Sequence, residues 1–485
     1  MEKKPKGTVF FYGIPAYGHT LSNLYLAGRL GAAGFRVVYY SAEPFRKVIE
    51  ENGCEYRPYP IDWKELDLRD GERILKLYRL ILQYTWELLP KLLGQAGKER
   101  PAAILFESLA LWGRAVGELV SVPTFAFYSI AAIDWTWGCP GGRERSGFLP
   151  AGPWQKGLGA YAPGFSAGFL RYGGEIPGAM SYVRRLRRAY GLKKLGLLPV
   201  LMNRGDYNLC GYSRMFQPGG SLFGAEYRFL GPLSVHRRTV ERNDFSCPEP
   251  ASGERLIYIS LGTIFNENEG LLREIIRQFG RNFEEGGTLG ERSFGKALDA
   301  AARGPGKGGK RDLGDGGNAF HEGRDAGKQS FRVVLVCEKN CRFPDNFIVR
   351  HFVDQSAVLR HADLFITAGG VNSIHEALYF GVPCLLCPQQ GEQLLNAERF
   401  QRLGFGRILG DTATLRQEAL ECMELRKNWK EKRRAAMTAV HMGEVLEIME
   451  GLQKNAAAQS GAVRRGGKPY SRIAPFLYCG SGCGG

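Results

Sequence analysis

Between Leu364 and Ala397 the chain reads LFITAGGVNSIHEALYFGVPCLLCPQQGEQLLNA, and few local arrangements accommodate it. Leu364–Thr367 is a short apolar run closed by a turn signal, which predicts a buried strand. Gly369 and Gly370 come next, then Asn372 and Ser373, then a helical pattern through Glu376, Ala377, Leu378 and Tyr379. Gly381 and Pro383 end that pattern, and a second strand is expected at Cys384–Leu386. A strand, a glycine turn and a fresh helix start make a ready anion site. Unpaired N–H groups point outward, the helix dipole favours negative charge, and glycine lets a phosphate approach the backbone. Gln389, Glu392, Gln393 and Asn396 would then stand at the carboxyl end of the sheet, where open α/β sheets bind ligands. The expectation is a site for a nucleotide-linked sugar.

The rest of the chain supports a parallel, doubly wound architecture. Apolar runs at Thr8–Tyr12, Arg36–Ser41, Glu55–Pro58, Ala103–Phe106 and Thr124–Phe127 alternate with helical patterns, including a long one over Glu72–Leu93. A second series opens with a strand at Arg255–Ser260 and the turn Leu261-Gly262-Thr263, continues with a helix at Glu269–Phe279 and reaches a strand at Arg332–Val336. At 485 residues the chain has length for two cores. The expected organisation is a first domain over 1–233, a linker over 234–254, a second domain over 255–455 and a loose tail over 456–485. Residues 281–330 are Gly- and charge-rich without apolar periodicity, and read as a disordered insertion.

Composition excludes several classes. An apolar content of 44% with 12% aromatics suits a globular chain, and no apolar run reaches the length of a spanning helix. The eleven cysteines are scattered without a framework, which points to a reducing, cytoplasmic setting. Cys384 and Cys387 have zinc-like spacing, but with no second pair nearby they read as small core residues, and no metal site is expected. The net charge of +16 suits an anionic substrate, and basic–aromatic interleaving of the RNA-binding kind is absent.

The segment around Gly369 resembles the donor-binding signature of the UDP-glycosyltransferases of GT-B fold, bacterial macrolide-type branch: AGGVNSIHEAL, GVP, Glu392–Gln393 and Asn396–Ala397. The resemblance implies two Rossmann-like domains facing across a cleft, with the acceptor on the first and a UDP-sugar on the second. It further implies that Gly370, Asn372 and Ser373 hold the diphosphate and Glu376 the ribose, with Gly369 also in the donor site. Glu392 and Gln393 take the sugar hydroxyls, Phe352 and Gln355 the base, and Gly262 and Thr263 the phosphates from the other side. Where the family carries a histidine this chain has Ala368. His19, in GIPAYGHT after the first strand, is the expected general base, with Glu107 where the family has an aspartate. Base-assisted displacement would invert the anomeric centre of a hexose. No cofactor is expected beyond the UDP-sugar co-substrate.

Other readings stay open. Ser373-x-x-Glu376 is also a capping box. Glu107 also reads as a solvent-facing strand end, and His19 as a hydrogen-bonded turn histidine. Trp135, Trp137, Phe148, Trp154, Tyr161 and Phe165 either line an apolar cleft for a small hydroxylated acceptor or pack locally. Arg184, Arg185, Arg187 and Arg188 form a solvated helix face or meet an anionic lipid surface, which leaves a peripheral membrane contact open. A catalytically weak nucleotide- or lipid-binding relative is the main functional alternative, and a sugar-nucleotide epimerase a lesser one. Oligomeric state is not legible.

Overall fold

Short strands dense in aromatic and β-branched residues, such as TVFFY at Thr8–Tyr12, are buried on both faces and pair in parallel. The computed structural model describes residues 5–61, 74–132, 174–192, 195, 203–217, 220, 223–233, 245, 247, 249–261, 269–281, 330–337, 343–389, 391–429, 433–434 and 443–451. In chain order the first half comprises β1 (Thr8–Tyr12), α1 (Tyr17–Ala32), β2 (Arg36–Ser41), α2 (Arg46–Glu51), β3 (Glu55–Pro58) and α3 (Ile74–Glu99). It continues with β4 (Ala103–Glu107), α4 (Leu111–Val120), β5 (Thr124–Tyr128), α5 (Glu175–Tyr190), β6 (Tyr207–Cys210) and β7 (Tyr227–Phe229). The second half comprises β8 (Glu254–Ser260), α6 (Glu269–Phe279), β9 (Ser330–Val336), β10 (Phe347–Arg350), α7 (Gln355–Leu359) and β11 (Leu364–Thr367). After these come α8 (Val371–Phe380), β12 (Cys384–Leu386), α9 (Gly391–Arg402), β13 (Gly406–Ile408) and α10 (Leu415–Glu424).

Two sheets result, ordered β3-β2-β1-β4-β5-β6-β7 and β10-β9-β8-β11-β12-β13. In each, the chain leaves its first strand in one direction and later returns to that strand's other side. The reversal lies between β1 and β4 in the first sheet and between β8 and β11 in the second. Loops diverge there, and a crevice opens at the carboxyl ends of the strands.

Alternate residues of each strand feed opposite layers. Along β1, Phe10 and Tyr12 join a cluster with Leu82, Leu88 and Trp112, while Val9 and Phe11 join Leu24, Leu30 and Phe35 on the other face. Val445 and Met449, from a helical turn at 443–451, belong to this second cluster, and Glu444 pairs with Arg228. The end of the chain's second half therefore packs on the first sheet. The linker at 234–244, most of the insertion at 282–329, the aromatic stretch 133–173 and the tail from 452 lie outside the described residues.

Helix α4 lies close on β4 and β5 because glycine occupies its contact face. A Cβ at Gly113 would come within 2.4 Å of the Phe106 Cβ, and one at Gly117 within 2.2 Å of the Thr124 Cγ2. Gly117→Ala should therefore destabilise the protein by about 1–3 kcal/mol through overpacking, despite alanine's higher helix propensity. Urea unfolding checks this, and an unchanged midpoint would mean that α4 shifts freely.

Candidate active site

The loop leaving β1 runs directly into α1, whose first three residues are Tyr17, Gly18 and His19. Hydrogen bonds from Thr20 Oγ1 to the Ile14 carbonyl and from the Tyr59 hydroxyl to the Gly13 carbonyl fix this turn. Across the reversal point, β4 ends on Glu107. The imidazole Nδ1 of His19 lies 3.0 Å from Glu107 Oε1. His19 keeps 19% of its side chain exposed, whereas the Glu107 side chain is 0% exposed.

A carboxylate this deep needs donors, and it has them. Oε1 accepts from Ser108 Oγ at 3.1 Å and Ser129 Oγ at 2.9 Å, and Oε2 accepts from the Leu109 N–H at 2.7 Å. Ser129 Oγ is also 2.9 Å from His19 Nδ1. Burial by itself raises the carboxyl, but the facing imidazole and these hydrogen bonds outweigh it and hold Glu107 below its ordinary value. The solvent-facing reading of Glu107 is thus overturned: β4 has neighbours on both sides, and its last side chain turns inward. The extra methylene relative to aspartate is accommodated. Ser108 and Ser129 were not singled out in the sequence, although a hydroxyl one residue past the end of β5 was a signal.

On the facing sheet, Thr367 ends β11, and Ala368, Gly369 and Gly370 form the turn into α8. Gly369 has φ +88, a backbone that favours glycine. Asn396 Nδ2 donates to its carbonyl at 3.2 Å, so α9 holds the turn. Gly370 is the N-cap, without a side-chain capping bond. Ser373 is therefore the third helical residue, and the capping-box reading fails because the glycine turn starts the helix three residues earlier. A Cβ on Gly370 would meet no atom within 4 Å, so the backbone N–H groups at the start of α8 are approachable. Ala368 is 2% exposed.

Glu376 lies one and a half turns along α8, almost fully buried, and accepts from Gln355 Nε2 at 2.8 Å. Gln355 in turn receives the Tyr258 hydroxyl at 3.4 Å. The two residues expected at the nucleoside thus form one polar group, with Phe352 just before α7. Gln393 is buried, its Oε1 taking the Gln389 N–H at 2.9 Å. The side chain of Glu392 and all of Gly262 and Thr263 lie outside the described residues.

The two half-sites touch. Asn372 Nδ2 donates to the Gly18 carbonyl at 2.9 Å, and the Tyr17 and Phe352 rings meet edge to face with centroids 5.9 Å apart. Behind them, Arg399 Nε donates to the Met215 carbonyl at 2.8 Å, and Phe216 packs on His375 at 4.4 Å. The first turn of α1, which carries His19, and the start of α8 are therefore in direct contact.

Residues 318–447 match the glycosyltransferase family 28 C-terminal domain. The chain is 26% identical to the uncharacterized UDP-glucosyltransferase YdhE of Bacillus subtilis, over 83% of this chain and 85% of that one. It is 24% identical to the demethyllactenocin mycarosyltransferase of Streptomyces fradiae, over 93% and 87%. The solved structure of the glycotransferase of kitacinnamycin superposes with a TM-score of 0.64 at 20% identity, covering 92% of this chain and all of that one. The chain is a homologue of bacterial UDP-glycosyltransferases and has the GT-B fold of the macrolide glycosyltransferases. It is a glycosyltransferase of the macrolide type.

Two further features of this glycosyltransferase bear on its chemistry. Among the described residues, no group of three or more His, Cys, Asp or Glu could hold a metal ion, and no helix is long and apolar enough to cross a membrane. Cys384 and Cys387 are core residues, and burial pushes the Cys387 thiol up to about 12. Arg184, Arg185, Arg187 and Arg188 all lie on the exposed face of α5.

His375 was not expected to matter. Burial pushes its imidazole down to about 4 from 6.5, and Nδ1 lies 2.6 Å from the Val371 carbonyl, which it meets as an N–H donor. A folded-state value below the unfolded one means that the unfolded chain takes up the proton first. Stability present above pH 6.5 should thus be lost as pH falls toward 4, by about 3 kcal/mol at the limit. Urea melts across that range check this, with His375→Leu flattening the dependence.

Proposed function

We propose that this glycosyltransferase moves a hexose from a UDP-sugar to a hydroxyl of a small, apolar acceptor, such as a macrolide, phenol or lipid-like alcohol, with inversion at the anomeric carbon. The supporting observation is the His19–Glu107 pair on the turn of α1 whose Gly18 carbonyl receives Asn372 from the start of α8. With the proton on Nδ1 and directed at Glu107, the lone pair of the imidazole sits on Nε2, which takes the acceptor's hydroxyl proton. The acceptor oxygen attacks the anomeric carbon as the bond to the β-phosphate oxygen breaks, and UDP leaves with the electron pair. Glu107 stabilises the imidazolium that forms, in the manner of a triad carboxylate.

Charge on the departing diphosphate is met by the backbone N–H groups at Gly370, Asn372 and Ser373 and by the helix dipole, a preorganised positive field. Gly262, Thr263 and Gly369 complete the phosphate surroundings. Phe352 stacks on uracil, Gln355 reads its edge, Glu376 takes the ribose hydroxyls, and Glu392 with Gln393 the sugar. The reaction so written needs neither a metal ion nor a cofactor beyond the co-substrate.

The test is UDP release from UDP-glucose with a panel of phenolic and macrolide acceptors, followed by anomeric analysis of the product. Acceptor-dependent release with an inverted product supports the reading. Intact UDP binding with no turnover for any acceptor would favour the silent binding relative, which Ala368 motivates. A new sugar nucleotide formed without acceptor would favour an epimerase.

A further inference from the structure

Three consecutive residues at the start of α1 make three different contacts. Tyr17 meets the Phe352 ring, Gly18 receives the Asn372 amide, and His19 meets Glu107. Two of these partners belong to the second half of the chain, so the segment carrying His19 is held from both sides of the cleft. A side-chain amide committed to a carbonyl 2.9 Å away has spent one of its two N–H donors, leaving the other and its oxygen for a ligand. The carbonyl it grips belongs to the residue immediately before His19.

We infer that Asn372 is a positioning residue for His19: its bond to the Gly18 carbonyl fixes the first turn of α1 from the donor side. The assignment of His19 as the base rests on the proposed function, whereas the strap itself does not. Since α8 begins at Val371, a shift of this helix end on nucleotide binding would reach the His19 backbone through a single hydrogen bond. The arrangement ties the orientation of the imidazole to the state of the phosphate site. Tyr17, 40% exposed and edge-on to Phe352, adds a second and weaker link beside it.

The experiment uses the full chain with Asn372→Ala and Asn372→Asp, the second because a carboxylate keeps the size but cannot donate to a carbonyl. Reaction of His19 with diethyl pyrocarbonate is followed by peptide mass across pH, without nucleotide. Both variants should change the His19 modification rate about fivefold or more, the share of one net hydrogen bond, and shift its pH midpoint. In turnover, kcat should fall by a similar factor in both variants, whatever the change in UDP-glucose KM. An unchanged His19 profile in both variants overturns the strap. So does a loss of UDP affinity with kcat and the His19 profile intact, which would make Asn372 a phosphate contact alone. If the wild type turns over no donor, the proposed function fails, and the modification profile still decides the strap.

Discussion

Replacing His19 with alanine is expected to lower kcat by about 10²–10⁴-fold, the range removed with a positioned general base. UDP affinity should stay the same, because the proposed nucleotide site lies on the opposite sheet. Steady-state kinetics with calorimetric titration of UDP separates the two effects. The argument is geometric before it is chemical. His19 lies in the first turn of α1, at the reversal point of its sheet, with its Nδ1 3.0 Å from a carboxylate that has no exposed surface. In the proposed reaction that carboxylate selects one tautomer, and the tautomer sets which nitrogen takes the acceptor's proton. A turnover rate within about threefold of wild type would remove His19 from the chemistry.

Glu107→Gln should come close to the same loss, about 10²–10⁴-fold in kcat, although the amide is nearly isosteric. Glutamine keeps one carbonyl oxygen but brings an NH₂ group into a shell built from four donors: His19 Nδ1, Ser108 Oγ, Ser129 Oγ and the Leu109 N–H. At least one donor then faces another donor in a dry site. Glu107→Ala should add a stability cost of about 1–3 kcal/mol for each buried donor left unpaired. The pH dependence has a definite sign. The folded carboxyl lies below its ordinary value of 4.5, so its contribution is complete above that value and is lost as pH falls through the lower folded one. The acid limb of stability should therefore weaken in Glu107→Gln. Kinetics of both variants, with urea melts between pH 3 and 7, check these expectations.

Much of this arrangement was legible from residue order. Strands such as Thr8–Tyr12, Arg36–Ser41, Leu364–Thr367 and Cys384–Leu386 appear at the expected bounds, because dense apolar runs between turn residues have few other solutions. β6, β7 and β13 were not anticipated. Each has three or four residues, and their strand character comes from a neighbour already in place rather than from their own composition. Within the site, the His19–Glu107 pairing followed from resemblance, but the burial of Glu107 did not. It depends on β5 lying beside β4 and delivering Ser129, a relation of tertiary structure. The Ser373 capping box failed for a related reason. Local sequence offered a cap, whereas Gly369 and Gly370, held by Asn396 from α9, started the helix earlier. Asn372 carried the phosphate-site signal, and nothing local showed that its amide would reach Gly18, 354 positions away.

The most direct test is a crystal structure of the full chain with UDP. The account predicts the β-phosphate within about 3 Å of the backbone N–H groups at Asn372 or Ser373, uracil against Phe352, and the His19 imidazole facing the same cleft. UDP bound away from the start of α8, or His19 opening onto a different face, would contradict it.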